Sequence, residues 1–566
     1  MKLVDLEIQN FRGIRQCTLS LPVHASTVCL IGAGDSTKTT LLRAIEWIVW
    51  PTWNLAACDH DFYDREATNP IILRGTFTEI PNKLLMEDRF GLYLRKNGVA
   101  YDLSTDDEPQ DDQPVCLTIQ LTIDATLEPK WEVVCNRKDP KRISHTERKL
   151  LSVGSVGDNC SKDMVWNRNS VLQKYADAKG ILHDAYTQSV REAVKAVNLH
   201  GLDTISETII SVGKQYGVGF EGDVSNQIIM QNSSFTSSVG LFEGNTPLNQ
   251  RGLGSQRLLS MGLNIQSTLD GTLLLVDEIE HGLEPYRLCS LINEFRQNRK
   301  NGQVIMTTHS PIAVAECTVS ELFVVQSKNG CTSVCPLAGA DKKVNEEMQK
   351  QVRSNPEAFL CKRLIICEGK TEKGFIRALD TFLASTQSFR MAFSGVGTTL
   401  GGGSTTFQCA KTFHACGYDI SIFMDSDKPN EENSEKAALR AEGIPIFDWD
   451  EPNAIEEQIF SDIPAPMAED LINFAISEHG EDVVRSKFSS IKDSFAIADG
   501  KMIFHNATAI DWKAIGTLAK KQCLYKRIDL GERIGDIIFA DWETVDSNTT
   551  LHKTVDEIAE WVQNND

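Results

Sequence analysis

Two groups of residues in this chain have the types and spacing to act on phosphates. The first is Gly32-Ala33-Gly34-Asp35-Ser36-Thr37-Lys38-Thr39-Thr40. It follows the apolar run Thr27 to Ile31 and leads into a helical stretch, Leu41 to Trp50, that Pro51 ends. A phosphate loop needs backbone N–H groups converging on the anion, a lysine for the terminal phosphates and a hydroxyl for Mg²⁺. Lys38 and Thr39 supply the last two. The common pattern has glycine before the lysine, and here Thr37 stands there. If that position needs positive φ, a β-branched side chain strains it. Slow nucleotide turnover, or a loop that departs slightly from the usual path, is then expected.

Partners for such a loop lie further along. Leu273-Leu274-Leu275-Val276-Asp277-Glu278 reads as a buried strand ending in two acids. Asp277 would hold Mg²⁺ through water, and Glu278 would orient or deprotonate the attacking water. Val304-Ile305-Met306 runs into Thr307-Thr308-His309-Ser310-Pro311, where His309 could bond a γ-phosphate or serve as a structural hydrogen-bonder. Ahead of the acids, Arg251-Gly252-Leu253-Gly254-Ser255-Gln256-Arg257 puts glycine N–H groups at a helix start. The loop Glu280-His281-Gly282-Leu283-Glu284-Pro285 after the acids equally suits a plain helix cap.

The second group is acidic. Glu368 ends the apolar run Leu364 to Cys367, and Glu372 follows one helical turn later. Asp425 and Asp427 close the run Ile420 to Met424 at a spacing that points both to one side of an extended chain. Glu456 sits at a helix start within Asn453-Ala454-Ile455-Glu456-Glu457. Open α/β sheets place ligands at such strand ends. Oxygen-only donors suit Mg²⁺ or Mn²⁺, and two ions about 3.5–4 Å apart would stabilise both attacking and leaving oxygens of a phosphodiester cleavage.

The elements that must carry these groups alternate strand and helix, so the fold class is α/β. The opening Leu3 to Phe11 alternates at period two, and Ile71 to Val134 holds mostly short β-type runs. An acidic loop, Asp106 to Asp112, is expected to be solvated. Helical spacing dominates from Arg148 to Gly219, through Leu172, Tyr175, Ala176, Ile181, Ala185, Val190, Ala193, Val194 and Val197. Gly401-Gly402-Gly403-Ser404 reads as a flexible loop, and Leu551 to Asp566 as an amphipathic helix. The expected organisation is residues 1–147 and 220–358 as two lobes of one domain, 148–219 as a helical insertion that dimerises, and 359–566 as a second α/β domain.

The 566 residues hold 57 Lys+Arg against 78 Asp+Glu, a net charge of −21. That balance argues against coating nucleic acid through a basic surface and leaves room for a local site where metal neutralises phosphate. No run approaches the ~18 apolar residues of a membrane span, and the start is not a secretory leader. The 15 cysteines form no CxxC pair, which fits neither a zinc ribbon nor a disulfide scaffold and suits a cytoplasmic protein.

The phosphate loop, Asp277-Glu278 and His309, with the opening Ile8-Gln9-Asn10-Phe11-Arg12-Gly13-Ile14, resemble the ABC-type ATPase heads of the RecF/SMC/Rad50 group. That resemblance implies ATP and Mg²⁺ held by Gly32 to Thr40, Thr39 and Asp277. It also implies a homodimer or higher oligomer in which Gly252, Gly254 and Ser255 cap the partner's nucleotide. The signature departs from the usual Leu-Ser-Gly-Gly-Gln. The acidic block resembles the TOPRIM domain. An ABC head followed by TOPRIM is similar to the OLD (overcoming lysogenisation defect) nucleases over nearly the whole chain. This implies metal held by Glu368, Glu372, Asp425, Asp427 and Glu456, and a transition-state lysine at Lys526, with Lys520 and Lys521 as alternatives. The implied activity is a two-metal DNA endonuclease gated by nucleotide and acting in phage defence. Members of that family act as Gabija-type components and as effectors linked to retrons, so a defence-system partner protein, or a retron reverse transcriptase with its msDNA, would be its partner. The competing functions are an ATP-gated DNA-binding scaffold of the Rad50 or RecF kind with an idle second domain, and a transporter ATPase. The first would lack Rad50's long coiled coil, because no heptad run is sustained. The second leaves the C-terminal acids unused.

Overall fold

A computed structural model describes residues 1–98, 106–109, 114–151, 153–157, 163–166, 170–172, 175, 202–229, 238–267, 273–298, 302–488, 495–498, 501–504 and 512–564. The chain divides into two compact units, Met1–Asn345 with Val352–Phe359, and Glu346–Gln351 with Leu360–Asp566.

The first unit is built on one large sheet with two kinds of pairing. In its antiparallel half, Lys2–Phe11 lies between Ile14–Ser20 and Ile71–Thr78, and Val115–Ile123, Pro129–Cys135 and Lys138–Arg142 continue outward. In the other half, Leu322–Lys328, Thr27–Ile31, Gln303–Thr307, Leu273–Val276 and Gly154–Val156 lie side by side and parallel. Thr27–Ile31, Gln303–Thr307 and Leu273–Val276 are buried at every position, as parallel strands covered on both faces must be. Lys2–Phe11 keeps its alternation, with Leu6 and Ile8 inside and Glu7 half-buried.

Two expectations need correction. The 148–219 segment contributes a strand, Gly154–Val156, at the edge beside Leu273–Val276, and three residues are too few to register against helical periodicity. The helix Asp203–Gln215 is present, whereas Ala176, Ile181, Ala185, Val190, Ala193, Val194 and Val197 lie outside the described residues. In the acidic loop Asp107 is fully buried, not solvated. Arg95 (2.8 Å) and Arg137 (3.0 Å) both grip its carboxylate, and two guanidiniums compensate the lost hydration. Asp111 and Asp112 of the same loop lie outside the described residues.

The second unit has a four-stranded parallel sheet in the order Val396–Leu400, Arg363–Cys367, Asp419–Phe423, Ile446–Phe447. The chain leaves Arg363–Cys367 to one side and returns on the other, which makes a switch point at its carboxyl end. The helix Lys370–Gln387 crosses Ile528–Ala540 closely. A Cβ at Gly374 would collide with the Ile528 carbonyl, and one at Gly531 with the Thr371 carbonyl. This approach fixes the first turn of Lys370–Gln387, which carries Glu372. The last helix, Thr550–Gln563, buries Leu551, Val555, Ile558 and Val562.

Candidate functional site

In the first unit, register sets the site. Leu30 pairs with Thr307, and Met306 with Val276, so the glycine loop, Asp277 and His309 leave the sheet at one edge. Thr37 caps the helix Lys38–Ile48 at φ 69°, ψ 13°, the left-handed region that disfavours a β-branched residue. Its hydroxyl donates to the Ser36 carbonyl at 2.6 Å and lies 3.0 Å from that of Thr332. Gly32 has φ +138°, and a Cβ there would run into the Val325 carbonyl. Gly34 and Asp35 are exposed at the crest of the loop, and Thr40 is half-buried in the helix.

Lys38 is buried, and its Nζ donates to the carbonyls of Gly32 (3.0 Å) and Ala33 (2.6 Å) and to Ser36 Oγ (3.0 Å). Burial pulls its pKa down to about 8, against the opposing pull of Asp277, Glu280, Asp35 and Glu278. Asp277 Oδ1 accepts from Thr39 Oγ1 at 3.1 Å and from Thr307 Oγ1 at 2.6 Å. The loop and the acid strand are thereby joined across 238 residues of sequence. Glu278 adopts φ +46° and donates its N–H to Thr307 Oγ1 at 2.8 Å. His309 is exposed; partial burial of its ring and the charge of Lys38 hold its pKa below the usual histidine range.

Three residues that the motifs did not single out organise this edge. Thr307 bonds both acids, and Glu280 accepts from Thr308 Oγ1 and the His309 N–H, each at 2.6 Å. Arg257, fully buried, donates to the carbonyls of Asp277 and Glu278. The helix Leu253–Ser267 is thus tied to the acid strand. Gly254 packs so tightly on Gly282 that a Cβ would strike its carbonyl. Gly252 is exposed at the helix start, and Ser255 N–H donates to its carbonyl at 3.0 Å.

In the second unit, Cys367 pairs with Phe423, so Glu368 and the Asp425–Asp427 turn emerge side by side. Glu368 N–H donates to the Phe423 carbonyl at 2.9 Å, and Glu368 Oε2 accepts from the Asp425 N–H at 3.1 Å. Asp425 Oδ1 accepts from the Ile455 N–H at 2.8 Å, which brings the helix Ile455–Asp462, and with it Glu456, to the same place. Burial pushes Glu372 up to about 8, with Glu456 and Glu368 adding to the shift. Asp425 is raised by burial and by Glu372, Glu368 and Glu456. Glu456 is raised by burial against the pull of Lys526 and Lys520. Asp427 Oδ1 and Glu456 Oε1 are buried with no hydrogen-bond partner.

Lys520 pairs directly with Asp427, 3.1 Å from its Oδ2, and with the neighbouring Glu457, 3.0 Å from its Oε2. Lys526 is exposed and acts on Glu456 through its charge. Glu432 also faces the group: burial and then Glu368 raise its pKa. Only packing reveals it, since nothing in its local sequence distinguishes it from a solvated helix acid. Among the described residues, no three His, Cys, Asp or Glu side chains converge closely enough to hold a metal ion as they stand.

Residues 187–315 match a family described as "AAA domain, putative AbiEii toxin, Type IV TA system". The chain carries an ATPase-type domain. Its fold is similar to that of an SMC head bound to the C-winged helix domain of ScpA, at 14% identity and TM-score 0.38, over 59% of this chain and 97% of that one. It is also similar to the Pyrococcus furiosus SMC head with an extended coiled coil bound to the C-terminal domain of ScpA, at 12% identity and TM-score 0.37, over 62% and 99%. The Thermotoga maritima SMC head matches at 13% identity and TM-score 0.29, over 60% and 100%. No curated protein matches the chain. No described helix is long and apolar enough to cross a membrane.

Proposed function

We propose that the chain is an ATP-binding, divalent-metal-dependent DNA endonuclease whose cleavage is gated by nucleotide, an OLD-like effector of phage defence. The observation that carries the nuclease is the crowding of Glu368, Glu372, Asp425 and Glu456, drawn from three separate segments: Glu368 and the backbone before Glu456 both bond Asp425, and Glu368 and Glu456 raise the pKa of Glu372 and of Asp425. Like charges gathered in a buried place need a cation. The donors are all oxygens, which suits Mg²⁺ or Mn²⁺, and Asp427 Oδ1 and Glu456 Oε1 have free lone pairs to offer. Glu368, Glu372, Asp425, Asp427 and Glu456 would hold the metal after drawing inward. When bound, such an ion supplies Lewis acidity and charge neutralisation at phosphorus. Lys520 adds positive charge beside Asp427, and Lys526 adds it near Glu456, where phosphodiester oxygens could be met. Glu372, held near neutrality, is able to keep or release a proton at its carboxyl.

The first site supports nucleotide as the gate. Lys38 and Thr39 suit the phosphates and Mg²⁺ of ATP, with Asp277 bonded to Thr39, and Glu278 and His309 of the same sheet edge would act on the terminal phosphate. Gly252, Gly254 and Ser255 would cap nucleotide on a second copy, so the working form is a homodimer or larger. A retron reverse transcriptase with its msDNA, or another defence protein, would be the partner in the cytoplasm. The scaffold alternative, of the Rad50 or RecF kind, keeps the first site and leaves the crowded acids without a use. Plasmid incubated with the protein and Mg²⁺ or Mn²⁺, with and without EDTA, tests the reading. Cleavage is expected only with metal and not in Glu368→Ala or Asp425→Ala; undiminished cleavage by either folded variant removes the assignment.

A further inference from the structure

Lys436 lies on the helix Pro429–Ala441 and is almost fully buried, at 2% exposure. Its Nζ donates to the Asp425 carbonyl at 2.8 Å and to Ser426 Oγ at 3.2 Å. It also stands 3.3 Å from Asp448 Oδ2 and 3.9 Å from Glu432 Oε2. Asp448 follows the strand Ile446–Phe447 and is shared with Arg440 at 2.8 Å. Lys436 therefore joins the ends of two neighbouring strands, Asp419–Phe423 and Ile446–Phe447, from behind the acidic turn.

We propose that Lys436 is a positioning residue that pins the Asp425–Asp427 turn, holding its two carboxylates against Glu368, Glu372 and Glu456. The turn carries charges that repel those acids, and repulsion between like charges swings a free turn outward. Lys436 opposes this by bonding the backbone of Asp425, not its carboxylate. It differs in this from Lys520, which binds the Asp427 carboxylate itself and competes with any cation there. The turn is thus held in place while the Asp425 carboxylate is left clear of the lysine. The functional consequence rests on the metal-binding reading above, whereas the pinning of the turn does not.

The test compares Lys436→Met, and Lys436→Gln should Met prevent folding, with the unaltered full chain. Hydrogen exchange of the peptide spanning 421–428 should quicken about tenfold in the metal-free variant, while that of 363–367 stays unchanged. Mn²⁺ affinity should fall about tenfold, as expected when support behind a ligand is lost. Unchanged exchange at 421–428 in a folded variant overturns the proposal, and so does equal quickening of both peptides, which marks a general structural role. If the unaltered chain binds no Mn²⁺ and the exchange difference still appears, the metal reading falls and the pinning of the turn stands.

Discussion

The edge that carries Lys38 and the edge that carries Asp425 are both carboxyl ends of buried parallel strands, and they treat charge in opposite ways. At the first, the lysine is surrounded by carbonyls and a hydroxyl, and Asp277 receives two hydroxyl bonds. Its charges are answered by fixed dipoles before any ligand arrives. At the second, carboxylates face carboxylates, and buried oxygens of Asp427 and Glu456 lack donors. Dipoles that are already paired can accept a polyanion by exchanging partners. Buried carboxylates that face one another with too few donors raise the free energy of the fold until a cation joins them.

The largest test of this contrast is charge removal at the acidic edge. Asp425→Asn and Glu368→Gln should reduce metal-dependent cleavage by about 10³-fold or more, since several kcal/mol of Lewis-acid stabilisation would go with the metal. The same changes should raise the melting temperature of the metal-free chain, because they relieve repulsion. Lower melting would show that these acids are not held against mutual repulsion.

At the other edge, Lys38→Ala should weaken ATP binding by about 10–100-fold, the range for one charged hydrogen bond of roughly 1.5–3 kcal/mol, read by calorimetry. Metal-dependent cleavage without ATP should be nearly unaffected if the sites are chemically separate.

The pH response sharpens the contrast. Glu372 is raised from 4.5 to about 8, so the folded chain binds more protons than the unfolded one between those values. Stability of the metal-free protein should therefore fall as pH rises through that window. Lys38, lowered from 10.5 to about 8, acts with the opposite sign: its contribution to stability rises with pH between about 8 and 10.5. Melting curves should show Mn²⁺ stabilising the protein more at about pH 8.5 than at about pH 5.5, and Glu372→Gln should flatten that difference.

The smallest effect concerns Thr37. Its left-handed backbone costs about 1–2 kcal/mol, partly offset in Thr37→Gly by the greater freedom of glycine in the unfolded chain. A net gain of about 0.5–1 kcal/mol in denaturant unfolding is expected, and no gain would show that the Thr332 contact compensates the strain.

The local pieces are legible because each rests on neighbours in sequence. A fully apolar run before Gly32, before Asp277 or before Glu368 reads as a buried strand, and the residue that ends it sits at a sheet edge. Thr37 is legible as strained because the loop's geometry follows from its own spacing. Arg257, Glu280, Thr307, Glu432 and Lys436 are not legible, since each acts through a contact with another segment and its own neighbours give it no distinguishing pattern. Lys520 against Lys526 stays open in the sequence for the same reason: helical spacing puts several lysines near one another, and only packing decides which reaches Asp427. Asp107 shows the limit most sharply, because an acidic run looks solvated until two arginines from separate segments enclose one member.

By itself, the order of residues determined which strands end in phosphate-handling loops and which end in acids, since short-range sterics and apolar periodicity act along the chain. Tertiary structure decided that Thr39 meets Asp277 and that Glu368 meets Asp425. Such meetings depend on strand order and register, which are set by burial of whole faces and by helices crossing at glycines such as Gly374 and Gly531, not by any single segment.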